Sequence, residues 1–105
     1  MSHYLVLDAA GHRIDEIYRY TLAEWGEAQA ERYIRGLFDA FERIDSHSIL
    51  SRPIPADYEV DGYWFRYEKH FVYWKRLETG QIGIVTVLHE RMFRAERLKQ
   101  DFEIK

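Results

Sequence analysis

The residues best suited to chemistry lie in the C-terminal half of the chain. Arg66, Lys69, His70, Lys75 and Arg76 form one group, and His89, Arg91, Arg94 and Arg97 follow after an apolar run. Guanidinium and ammonium groups stabilise the charge that develops when a phosphodiester is cleaved, and an imidazole moves protons. A metal-independent ribonuclease is one protein these types would serve, with Arg66 and Arg91 holding phosphate and His70 or His89 as acid or base. The same residues also describe a solvated strand face followed by a charged terminal helix, because exposed charges on strands are ordinary. Spacing alone favours this plainer reading.

Other chemistries find no support in the pattern. The six glycines are scattered, with no dinucleotide fingerprint and no P-loop. The five histidines, His3, His12, His47, His70 and His89, lack the spacing of a zinc site. There is no cysteine, so disulfides and thiolate metal sites are excluded. No local signature of a Ser–His–Asp set is present. The sequence therefore implies no cofactor and no metal.

The elements that must position these residues can be read from periodicity. His3 to Leu7, dense in Tyr, Leu and Val, predicts a short strand, and Asp8 stands where a helix N-cap belongs. Ile14, Ile17, Tyr18, Thr21 and Trp25 recur at helical spacing and predict one buried stripe. Gly26 suits a position with positive φ at the helix end. Ala30, Tyr33, Ile34, Leu37, Phe38, Phe41 and Ile44 repeat the helical pattern at once. With almost no linker, the two helices should fold back as an antiparallel hairpin. Ser46 to Asp61 breaks both periods, and Pro53 and Pro55 favour an extended path there. Tyr63 to Tyr67 alternates, His70 to Leu77 is rich in Phe, Val, Tyr and Trp, and Glu78 to Gln81 makes a hairpin turn with Gly80 in a left-handed position. Ile82 to Leu88, apolar on both faces, reads as a central strand. Glu90 to Phe102 reads as a short C-terminal helix. The expected fold is α+β: an N-terminal strand, then a helical hairpin laid on one face of a small antiparallel sheet, as a single domain over residues 1–105. The other face of that sheet is expected to keep apolar surface for a partner.

Composition agrees with a folded chain. Of its 105 residues, 47% are apolar and 16% aromatic, too many large side chains for a disordered segment. The first residues, Met1 to Leu7, lack a basic n-region, and no stretch approaches the ~18 apolar residues of a membrane span, so the expected location is the cytoplasm. The net charge is −3. Residues 1–59 carry 6 basic and 11 acidic side chains, and residues 60–105 carry 9 and 7, giving −5 and +2. This balance argues against a general nucleic-acid binder, which shows a dominant basic field.

Several of these segments are similar to a known family. Tyr20-Thr21 with Glu24-Trp25-Gly26-Glu27-Ala28-Gln29-Ala30-Glu31-Arg32-Tyr33 resembles the helical hairpin of ParE toxins, in the RelE/ParE superfamily. His70-Phe71-Val72-Tyr73-Trp74-Lys75 resembles their second long strand, and Ile84-Val85-Thr86-Val87-Leu88-His89-Glu90-Arg91-Met92 their last strand and its exit. Arg52-Pro53 falls in a loop where the family tends to carry such a pair. The likeness runs from about Tyr4 to Leu98. It implies a type II toxin–antitoxin module of the kind associated with plasmid stabilisation. The toxin would poison DNA gyrase without doing chemistry, and a ParD-like antitoxin would wrap around it in a higher-order hetero-oligomer. The related RelE branch cuts mRNA in the ribosome, using basic residues plus a Tyr or His near the C-terminus. Here Met92 and Phe93 follow Arg91, the tail has neither Tyr nor His, and Phe is no acid or base. The resemblance therefore points to the gyrase branch, with a ribosome-dependent endoribonuclease or a non-toxic antitoxin-binding relative as alternatives. Arg66, His70, His89, Arg91 and Arg94 are the expected target-contact residues. Trp25, Tyr33, Leu37 and Trp74 are the expected antitoxin contacts.

Overall fold

The computed structural model describes residues 4–45, 49–92 and 94–103, and the side chains of Asp45, Arg94 and Ala95 lie outside that description. His3, placed in the first strand by its sequence, also lies outside it, as do Ser46 and Ser48 of the predicted loop and Phe93 of the tail.

The first strand, β1, spans Tyr4–Val6 and leads directly into α1, Asp8–Trp25. The helix begins one residue earlier than the N-cap assignment to Asp8 implies. Leu7 is the cap, its N–H still bound to the sheet at the Ile84 carbonyl (3.0 Å), while its own carbonyl accepts from Gly11 N–H (2.9 Å). Asp8 instead sits in the first turn, where its carboxylate meets the positive end of the helix dipole. Gly26 ends α1 at φ 92°, the left-handed corner that glycine adopts without a Cβ penalty. The second helix, α2, Glu27–Asp45, follows immediately and packs antiparallel to α1 as the hairpin predicted from its short link.

After α2 come β2 (Arg52–Pro53), a 3₁₀ turn (Ala56–Tyr58), β3 (Tyr63–Tyr67), β4 (His70–Arg76), β5 (Ile82–His89) and α3 (Arg94–Glu103). The sheet order is β1-β5-β4-β3-β2. Ile82 to Leu88 reads as central because β5 does lie between neighbours, and all seven residues are buried. β2 is a two-residue edge strand, a position where Pro53 has no inner ladder bond to withhold. The β2–β3, β3–β4 and β4–β5 pairs are antiparallel, whereas β1 lies parallel to β5, with Tyr4 opposite Ile82 and Val6 opposite Ile84. A two-helix crossover returns the chain in the same direction, so this edge pair differs from the all-antiparallel expectation. The β4–β5 hairpin closes at Gly80 with φ 91°, as predicted. Glu68, at φ 52°, makes the tight β3–β4 turn.

The hairpin lies on one face of the sheet, where Ile14, Ile17, Leu37, Phe41 and Ile44 meet Phe65, Val72, Trp74, Ile82 and Ile84. Trp25 departs from the predicted stripe. Ile14, Ile17 and Thr21 are buried, but Trp25, the last residue of α1 beside the Gly26 corner, is 71% exposed.

The opposite face, expected to keep apolar surface for a partner, is partly covered by the chain itself. A second cluster of Ile54, Tyr73, Leu88 and Leu98, flanked by Trp64, Phe71 and Phe102, covers part of it. Leu98 from α3 is fully buried. Asp101 locks the helix in place. Its buried carboxylate accepts from Thr86 Oγ1 on β5 (2.7 Å) and from Arg13 Nε on α1 (3.2 Å). A ten-residue helix is marginal alone, so these anchors are what hold it. The exposed large apolar residues are Tyr20, Leu22 and Trp25 on α1, Leu50 before β2, and Leu5 and Tyr63 on the strands β1 and β3.

Candidate functional site

Strand register gathers most of the predicted residues at one end of the sheet. His70 opens β4 and stands directly opposite His89, which closes β5, with their rings 5.2 Å apart. Arg66 lies near the end of β3, opposite Phe71. Arg91 follows in the turn after β5, exposed, its backbone N–H donating to His89 Nδ1 at 3.1 Å. Arg66, His70, His89 and Arg91 are thus neighbours. Arg94 opens α3, and its side chain lies outside the described residues.

The groups at this end are already committed. Tyr33 on α2 and His70 Nδ1 share a hydrogen bond of 2.6 Å. In its neutral form the phenol donates and the imidazole accepts. Burial first, and then the neighbouring His89, push the His70 pKa down to about 4. Burial likewise pushes the Tyr33 hydroxyl up to about 12. Tyr67 donates to the Tyr33 carbonyl (3.0 Å), and burial also raises its pKa. Gly36 makes that reach possible, because a Cβ there would collide with the Tyr67 hydroxyl. Arg66 donates from Nη2 to Glu90 Oε1 (2.6 Å) and from Nε to the Glu68 carbonyl (2.7 Å), and its guanidinium lies 5.8 Å from the Phe71 ring centre.

A general acid or base works best with a pKa near the operating pH. Burial moves Tyr33 and His70 away from neutrality in opposite directions, so near pH 7 the pair is a fixed, neutral hydrogen bond. Arg66 is charge-balanced by Glu90. This arrangement orients and holds the Tyr33, His70 and Arg66 side chains. Among the described residues, no group of three or more His, Cys, Asp or Glu is placed to hold a metal ion.

The predicted antitoxin contacts divide. Trp25 is exposed, and Tyr33 is half-buried beneath His70. Leu37 is fully buried, and Trp74 is 7% exposed with its indole N–H donating to Ser51 Oγ (2.9 Å) and its ring stacked on Tyr63. Both are core residues with little or no surface to offer a partner. Helical spacing marks Leu37 as apolar but does not say which apolar positions face inward. Glu90 and Tyr33, as partners of Arg66 and His70, escape sequence reasoning because the pairs lie 24 and 37 positions apart. Strand pairing brings Glu90 to Arg66, and the packing of α2 on the sheet brings Tyr33 to His70.

A helical hairpin on a five-stranded sheet with a cationic end fits the toxins of type II toxin–antitoxin systems. The chain is a member of the ParE family within that class: residues 4–93 match the family described as the ParE toxin of the type II toxin–antitoxin system parDE. Toxin ParE1 of Mycobacterium tuberculosis (strain CDC 1551 / Oshkosh) is 34% identical over 92 residues, covering 87% of this chain and 92% of the relative. Toxin ParE of Escherichia coli is 31% identical over 102 residues, covering 93% and 94%. The family resemblance drawn from the Trp25-Gly26 corner and the β5 exit is borne out. Membership brings with it an antitoxin partner. Among the described residues, no helix is long and apolar enough to cross a membrane.

Proposed function

We propose that this toxin acts in the cytoplasm by binding DNA gyrase, without chemistry of its own, and that a ParD-like antitoxin neutralises it. The observation that carries the reading is the Tyr33–His70 pair. A 2.6 Å hydrogen bond engages both groups, and burial moves their pKa values to about 12 and about 4, away from the neutral range that suits a general acid or base. A nuclease that used His70 as its acid or base would be better served by a pKa nearer neutrality. Arg91 is exposed beside this end and, with Arg66, His70 and His89, makes up the proposed target surface, and Arg94 is kept as a target-contact candidate from the sequence alone. Trp25, the large exposed ring at the hairpin corner, is the antitoxin contact the geometry favours, because aromatic anchors dominate binding energy.

The order of metabolic failure on expression tests the reading. A gyrase poison stops labelled-thymidine incorporation before labelled-methionine incorporation falls, and co-expression of the neighbouring antitoxin gene restores both. Methionine incorporation failing first would favour the ribosome-dependent endoribonuclease and overturn the proposal. Unimpaired growth would point to a non-toxic relative and overturn it equally.

A further inference from the structure

Arg66, Lys69 and Arg91 are exposed around His70 and His89, at the β3–β4 turn and the exit of β5. Glu90 stands among these cations, and the backbone fixes it there. Its own N–H donates to the Lys69 carbonyl (2.9 Å), and the next N–H, that of Arg91, is held by His89 Nδ1 (3.1 Å). This anchoring aims the Glu90 carboxylate at Nη2 of Arg66 (2.6 Å). The guanidinium is otherwise preorganised, with Nε on the Glu68 carbonyl and the Phe71 ring nearby, yet its side chain is still 55% exposed. Arginine recognises carboxylate and phosphate by the same planar N–H geometry. The Glu90 carboxylate therefore occupies a place that suits a phosphate oxygen.

We infer that Glu90 is an internal substitute for a phosphodiester, a specificity residue that keeps nucleic acid off this cationic end of the sheet. An exposed ion pair is worth little in itself. The exclusion comes from charge sign: the carboxylate cancels the guanidinium and repels an incoming phosphate. The inference builds on the proposed function, since it explains why a surface with three exposed cations meets a protein rather than RNA. It concerns a binding property of the isolated chain, which is measured without gyrase or ribosomes.

Anisotropy of a short fluorescein-labelled single-stranded RNA tests it, using the parent, Glu90→Gln, and Glu90→Gln with Arg66→Ala. Glutamine preserves the shape of the side chain, and circular-dichroism melting checks that all three proteins are folded. Glu90→Gln should bind the RNA about fivefold more tightly than the parent, with a steeper salt dependence. The double variant should return to the parent affinity. An affinity of Glu90→Gln within about twofold of the parent would overturn the inference, and so would a gain that survives loss of Arg66. If the expected gain appears while the parent leaves DNA synthesis untouched, the inference stands and the gyrase reading falls, so the two fail separately.

Discussion

His70 shows how a residue of catalytic type becomes structural. Its ring is packed against Tyr33 and His89, and burial makes the protonated form costly, lowering its pKa from 6.5 to about 4. An unfolded chain takes up this proton near pH 6.5, whereas the folded chain resists it until about pH 4. The neutral ring therefore contributes its full stability above pH 6.5. That contribution falls as the pH drops and is lost below about 4. Allowing for the ring's partial exposure to solvent, the loss is on the order of 1–2 kcal/mol. Urea unfolding of the parent and His70→Gln at pH 7 and pH 4 measures it. The parent should lose more stability than the variant over that interval, and parallel losses would contradict the assignment. The sequence offered His70 as an acid–base candidate because side-chain type is visible in a sequence and solvation is not. The Tyr33 hydroxyl that engages it comes from α2, 37 positions away.

At the scale of elements, the hairpin separates residues that carry the fold from residues free to carry a partner. Trp25 on α1 and Leu37 on α2 each belong to a predicted apolar stripe, but Leu37 is fully buried and Trp25 is 71% exposed. Leu37→Ala should cost about 2–5 kcal/mol of stability through the cavity it leaves. Trp25→Ala should cost less than about 0.5 kcal/mol while weakening the antitoxin by about tenfold or more. Denaturant midpoints and calorimetric titration with the purified antitoxin read the two effects. A large stability loss on Trp25→Ala, or unchanged antitoxin affinity, would remove it from the interface. Much of this layer was legible in the sequence. The Gly26 corner, the absence of a linker and the Gly80 turn are local signals, and each appears where it was read. The docking of α3 was not legible. Its hold depends on Asp101 meeting Thr86 and Arg13, and Arg13 lies 88 positions away on another element.

The molecule as a whole pairs a helical layer with a sheet whose far face is partly closed by α3, and its most exposed large apolar residues are Leu50 before β2 and Trp25 and Tyr20 on α1. The family was readable from the order of elements and the segments that carry it, because fold and family are written along most of the chain. The target is a property of a few exposed side chains and was not readable in the same way. The cationic end pairs His70 with Tyr33 and Arg66 with Glu90, and this supports the proposal of inhibition rather than cleavage. The direct measurement is a supercoiling assay with purified gyrase and relaxed plasmid, run beside programmed ribosomes and mRNA. The account predicts lost supercoiling or trapped, cleaved plasmid with the parent, and intact mRNA. A folded Arg91→Ala, Arg94→Ala variant should need about tenfold more protein for the same effect. Full supercoiling in the presence of the parent, together with cut mRNA, would contradict it.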